Sequence, residues 1–142
     1  MLVAEILKIK GGAVFSIPPE ATVAAACGEL SGRRVGALVV CDDDRVVGVF
    51  SERDVARAVA RDGQGALERS VADYMTPKVV FAEPHESVDQ LMERMSDRRI
   101  RHLPVLKDGR LAGVVSIGDL VKSRIEESSR EAESLRTYIA AG

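Results

Sequence analysis

Two stretches of this chain say nearly the same thing: Gly48-Val49-Phe50-Ser51-Glu52-Arg53-Asp54 and Gly113-Val114-Val115-Ser116-Ile117-Gly118-Asp119. They stand 65 positions apart, and the offset holds outward from both. Val14 falls on Val79, Val23 on Val88, Arg33-Arg34 on Arg98-Arg99, Leu38 on Leu103, Val40 on Val105, Asp43 on Asp108 and Arg45 on Arg110. A gapless register of this length marks an internal duplication, and a duplicated unit organises the whole fold. Upstream, Val3-Ala4-Glu5 matches Val71-Ala72-Asp73 at an offset of 68. The first copy therefore carries three additional residues, placed at Gly11-Gly12-Ala13, where glycine suits a loop.

Each copy reads as the same succession of elements. An extended segment (Ala13 to Ile17; Val79 to Ala82) runs into a proline turn at Pro18-Pro19 or Pro84, and a helix begins with Thr22 or Ser87 as its N-cap. Ser87 with Gln90 makes a capping-box pattern, and Val88, Leu91, Met92 and Met95 recur at helical spacing. Two strands follow, Gly36 to Cys41 with Arg45 to Phe50 and His102 to Leu106 with Arg110 to Val115, split by Asp42-Asp43-Asp44 or Lys107-Asp108-Gly109. These are hairpins. A second helix starts at Ser51 or Ser116, with Val55, Ala58 and Val59, or Leu120 and Val121, on its apolar side. The predicted class is α+β, two β-α-β-β-α repeats, each too small to bury both helices and both sheet faces alone. The divisions are 1–65 for repeat 1, 66–125 for repeat 2 and 126–142 for a C-terminal helical tail. The stretch Gly63-Gln64-Gly65 to Ser70 reads as a polar, mobile link, and the tail as a charged surface or partner helix anchored by Ile125, Leu135, Tyr138 and Ile139.

At 142 residues one compact module is expected, and 46% hydrophobic with 30% charged residues supports a core and argues against disorder. A net charge of −2 supplies no field to gather phosphate backbones, so a nucleic-acid partner is not expected. No apolar run reaches the length of a membrane span or a signal h-region, so the expectation is a cytoplasmic protein with no membrane attachment. Cys27 and Cys41 lie in apolar stretches without a C-x-x-C, as small buried side chains of a reducing compartment do.

Catalytic signatures are sparse. The sequence has no G-x-S-x-G, H-E-x-x-H, P-loop or G-x-G-x-x-G, and only His85 and His102 are available to a histidine cage, so neither an enzyme nor a metal site is expected. Asp42-Asp43-Asp44 falls on a hairpin turn, where aspartate is favoured for its own backbone hydrogen bonding. The feature with chemical content is the duplicated strand-to-helix junction. Ser51 with Asp54 and Ser116 with Asp119 place a hydroxyl and a carboxylate at a helix start whose N–H groups attract anions. The carboxylate suits a ribose diol and the N–H groups a phosphate. Equally, Ser and Asp three apart are a helix cap that stabilises the junction by about 0.5–2 kcal/mol. Arg33, Arg34, Arg98 and Arg99 complement helix dipoles at the ends of the first helices. Arg53, a cation in a helix first turn, points to a bound phosphate, and Arg101-His102 opens a strand where His102 is either packed or a ligand contact.

Taken together, Arg101-His102-Leu103-Pro104-Val105, the run Lys107 to Leu120, and Gly36-Ala37-Leu38-Val39-Val40 with Gly48 to Asp54 resemble a tandem cystathionine β-synthase (CBS) domain pair, the arrangement called a Bateman module. The resemblance implies two repeats packed in pseudo-twofold fashion through their sheets, with two clefts for AMP, ADP, ATP, NAD(H) or S-adenosylmethionine. It assigns Asp54 and Asp119 to ribose and Ser51 and Ser116 to the hydroxyl beside the phosphates, with Ile117 and Gly118 among the nucleotide-binding residues. Main-chain groups near Lys78 and Val80, and in the other cleft near Val14, border the base, with Val80, Leu103 and Pro104 as apolar walls for adenine in the second cleft. The first copy has Gly36-Ala37-Leu38-Val39 where the second has Arg101-His102-Leu103-Pro104, so the clefts differ, and the roomier first one with Arg53 suits a longer dinucleotide. The expected function is an adenine-nucleotide sensor, without a catalytic cofactor, acting as a homodimer on a separate regulated protein. The tail from Ser123 is a candidate docking element, and an interaction scaffold without ligand is the alternative.

Overall fold

The computed structural model describes residues 1–141. Helices and small sheets alternate as the duplication requires: α1 (Val3–Lys10), β1 (Ser16–Ile17), α2 (Val23–Arg33), β2 (Ala37–Asp42), β3 (Arg45–Ser51), α3 (Glu52–Asp62), α4 (Val88–Arg98), β4 (His102–Lys107), β5 (Arg110–Ser116) and α5 (Ile117–Ala141). The chain forms two compact units, Val14–Val80 and a second made of Met1–Ala13 with Phe81–Gly142. The N-terminal segment thus belongs with the second repeat, whereas a division at residue 65 keeps it with the first.

In Val14–Val80 the sheet order is β1-β2-β3, with β1 parallel and β3 antiparallel to β2. Thr22 caps α2 by accepting the Ala25 N–H at 3.1 Å, and Val23, Ala26 and Leu30 meet Leu38, Val40 and Phe50 in the core. Arg34 ends α2 in a left-handed conformation (φ 54°) usually left to glycine, and its N–H closes the last turn on Leu30 and Ser31. The segment expected to be a mobile link is ordered. It forms a 3₁₀ turn at Gly63–Glu68 with Ala66 fully buried, and a second turn directly after it, Val71–Asp73, buries Val71. Their backbone is tied down as well, since Val71 N–H reaches Ala21 O at 2.7 Å and Val23 N–H reaches Arg69 O at 2.9 Å. Two buried apolar anchors outweigh the polar composition that suggested mobility.

The other unit repeats this plan with one strand fewer. β4 and β5 pair antiparallel, with the same register shift (Val105/Leu106) that β2 and β3 show at Val40/Cys41. The expected extended segment ending at Ala82 contributes a single parallel bridge, Ala82 with Val105. Chemistry explains the loss: Val39 donates to Phe15 O at 3.1 Å in the first copy, and its counterpart Pro104 has no N–H to donate. At the hairpin tip Asp108 and Gly109 both take positive φ (53° and 76°), as a tight two-residue hairpin turn requires. Ser87 and Gln90 form the expected capping box, and Val88, Leu91 and Met95 are buried.

α1 lies against this second copy. Val3 N–H bonds Glu86 O and Ala4 N–H bonds Pro84 O, each at 2.9 Å, while Val3 and Ile6 enter the core. A Cβ on Gly113 would come within 2.6 Å of Leu7, and one on Gly48 within 2.6 Å of Met75 and 3.0 Å of the Thr76 carbonyl. Leu7 and Met75 are themselves partners at the offset of 68, so each repeated glycine is the place where an equivalent segment crosses its hairpin. The helix faces differ from expectation in one respect: Ala58 and Leu120 are buried, but Val59 and Val121 are exposed. The tail drawn from residue 126 is the unbroken continuation of α5.

Candidate functional site

The chain's tight turns from β3 into α3 and from β5 into α5 build two equivalent junctions. In the first, Ser51 is the N-cap: its Oγ accepts the Asp54 N–H at 3.3 Å, while Asp54 Oδ2 accepts the Ser51 N–H at 2.9 Å and its O–H at 3.1 Å. Asp54 Oδ1 accepts the Thr76 hydroxyl at 3.3 Å, and the Arg57 guanidinium stands at 4.0 Å. The carboxylate is 4% exposed, a rare degree of burial for aspartate that these donors make tolerable. The Glu52 N–H is met by Gly36 O at 3.0 Å.

The second junction repeats the cap and changes the partner. Ser116 Oγ accepts the Asp119 N–H at 3.2 Å and Asp119 Oδ2 accepts the Ser116 N–H at 2.9 Å. In place of the Thr76 hydroxyl comes an ammonium: Lys10 Nζ donates to Asp119 Oδ2 at 2.7 Å and to Val114 O at 2.8 Å. The Ile117 N–H reaches Arg101 O at 2.8 Å, and His102 pairs with Ser116 across the hairpin, which gathers Arg101, His102, Ser116, Ile117, Gly118 and Asp119 at one end of β4 and β5. Pro104 sits two residues along β4, opposite Val114.

The remaining predicted residues fall as follows. Arg53 is exposed in the first turn of α3, Lys78 is exposed on a bend two residues after Thr76, and Val80 is half-buried at the end of its unit. Arg33 is engaged away from the junction, bonding Glu29 at 2.6 Å and stacking its guanidinium 4.4 Å from the centre of the Phe15 ring. Lys10 and Thr76 are site residues that the sequence reading did not single out. A signal for Lys10 was present, because at the offset of 68 it falls on Lys78.

Opposing effects act on the Asp119 carboxylate. Partial burial pushes Asp119 upward, but the hydrogen bond and charge of Lys10 and the bonds from Ser116 outweigh it and hold the carboxyl below its ordinary value. A carboxyl depressed in the folded state contributes stability that is complete above its unfolded value, near pH 4, and lost as pH falls through the folded value. Lys10→Met is therefore expected to lower stability at pH 7 and to lose that deficit as the pH is taken from about 4 toward 2. Urea denaturation at pH 7 and pH 2.5 checks this, and an equal deficit at both would assign Lys10 a packing role.

Two units on one repeated plan, each opening its last helix on a Ser-x-x-Asp junction, define a tandem-repeat α+β protein. The sequence profile of the CBS domain matches residues 5–61 and 71–126. The chain belongs to the CBS-domain family. It is similar to the CBS-domain containing protein ATU1752 from Agrobacterium tumefaciens, whose crystal structure superposes with a TM-score of 0.86 at 44% identity over 87% of this chain and 99% of that one. It is 34% identical to the mitochondrial CBS domain-containing protein CBSX3 of Arabidopsis thaliana, over 99% of this chain and 72% of that protein. It also resembles the CBS domain protein PAE2072 from Pyrobaculum aerophilum, solved in complex with AMP, with a TM-score of 0.73 and 32% identity over 84% of this chain and 89% of that one.

Proposed function

We propose that this chain is a regulatory module that binds adenine nucleotides at its two Ser-x-x-Asp junctions and passes the occupancy to a separate protein. The observation that carries the reading is the duplicated junction itself, in which Asp54 and Asp119 stand at helix starts as a ribose-binding carboxylate requires. The AMP complex of PAE2072 supports the ligand class. In Val14–Val80 the proposed contacts are Ser51, Arg53 and Asp54. In the other unit they are Arg101, His102, Pro104, Ser116, Ile117, Gly118 and Asp119. Ile117 and Asp119 donate their N–H groups to Arg101 O and Ser116 Oγ, and the Gly118 N–H between them is the donor proposed for a phosphate. The candidates are AMP, ADP, ATP, NAD(H) and S-adenosylmethionine, with the longer NAD(H) favoured at the Arg53 junction. The reading is of a non-catalytic homodimer in the cytoplasm, a reducing compartment that suits the free thiols of Cys27 and Cys41.

A second reading has its own observation. Both serine and aspartate partners are satisfied by each other, by Thr76 and by Lys10, as a scaffold with purely structural caps would have them. Calorimetric titration of the full chain with each nucleotide, alongside thermal shift, separates the two. A ligand at about 100 times its Kd is expected to stabilise the protein by about 2.7 kcal/mol, a shift on the order of 5–10 °C. Asp54→Asn and Asp119→Asn should each remove one site; binding by none of the nucleotides would leave the scaffold.

A further inference from the structure

α5 (Ile117–Ala141) changes character along its length. Near its start Leu120 and Ser123 are buried, whereas from Ser128 to Ala140 every residue is exposed. A helix of this length standing alone in water is marginal, so a partner on its exposed face would stabilise this portion. Its exposed face is patterned. Val121, Ile125, Ser128, Ala132, Leu135 and Ile139 follow one another at alternating steps of four and three, and Ile125, Leu135 and Ile139 are 61%, 61% and 68% exposed. Alternation of four and three is the seam of a two-helix coiled coil, narrower than the stripe by which a helix packs on a globular body.

We infer that this seam pairs with the same seam of a second copy of the chain, parallel and in register. The side chains choose that occupant. Ile125, Ala132 and Ile139 fill one class of seam position and Val121, Ser128 and Leu135 the other; β-branched isoleucine at the first, with Leu135 at the second, suits two strands rather than three or four. The small Ser128 and Ala132 let the helices approach at mid-seam. Charges then fix direction. In parallel register Glu131 of each copy faces Arg136 of the other, and two-fold symmetry provides the contact twice. Antiparallel pairing with matched layers would set Glu131 against Glu131 and Lys122 against Arg136, two kinds of like-charge contact. The surface is independent of the ligand reading and names the face on which a dimer is built.

Sedimentation equilibrium of the full chain without nucleotide tests it. The protein should be a dimer in the micromolar range, and Leu135→Asp should weaken the dimer by about a hundredfold, its circular dichroism retaining the folded body because Leu135 lies beyond the packed part of α5. Glu131→Arg should weaken it by about fivefold, and adding Arg136→Glu should restore it. A monomeric wild type, which would leave the seam to a different protein, overturns the proposal. So does a dimer indifferent to Leu135→Asp, which must rest on another face; failure of the double charge exchange to restore association overturns the parallel register.

Discussion

Asp54→Ala is expected to lower the stability of the protein by roughly 2–3 kcal/mol, read by urea denaturation at neutral pH, before any ligand is considered. The carboxylate is buried and takes the Ser51 N–H, the Ser51 hydroxyl and the Thr76 hydroxyl, so its removal loses a helix cap and strands the partly buried Ser51 N–H without an acceptor. Asp54→Asn keeps a side-chain oxygen for that N–H and should cost about half as much. Asp119→Ala should cost roughly 1–2 kcal/mol, because its side chain is more exposed and Lys10 can turn to water. A consequence follows for ligand work: the alanine variants lose melting temperature for reasons unrelated to ribose, and nucleotide contact has to be read from calorimetric affinity in the asparagine variants. A change under about 0.5 kcal/mol for Asp54→Ala would mean that the carboxylate is not integrated into the junction as the hydrogen bonds indicate.

Phe50→Ala is expected to cost about 3–5 kcal/mol, a large share of the stability of a domain this size. Phe50 is fully buried at the end of β3, in the cluster formed by Val23, Ala26, Leu30, Leu38, Val40 and Val71. Its counterpart in the second copy is Val115, also fully buried but smaller, so Val115→Ala should cost less, roughly 1–2 kcal/mol. The comparison by urea denaturation has a clear failing outcome. Equal losses would mean that the first core collapses around the missing ring and that Phe50 is not the keystone of its unit.

Much of this architecture was legible because the chain writes it twice. The 65-residue register located the hairpins, the caps at Thr22, Ser51, Ser87 and Ser116, and the two carboxylates, since each depends on residues close together in the sequence. What escaped was set by contacts between distant residues. Gly63 to Ser70 reads as a polar link, yet Ala66 is buried and the segment is tied to the start of α2, where the Val23 N–H bonds Arg69 O. The apolar pattern places Val59 and Val121 on the packed side of their helices, yet both are exposed, while Asp54 is buried under the Thr76 hydroxyl and Ser123 against Met1.

By itself, then, the sequence determined the repeat, the α+β succession and the Ser-x-x-Asp chemistry at each helix start, because capping and hairpin turns are local and follow from a few neighbouring side chains. Tertiary structure alone decided which segment crosses each hairpin. It brought Lys10 onto Asp119 and Thr76 onto Asp54, across separations of 109 and 22 residues, and so made chemically different sites from matching sequences. The physical reason is that a carboxylate's charge partner is whatever chain the fold carries past it, and no spacing along the sequence records that passage.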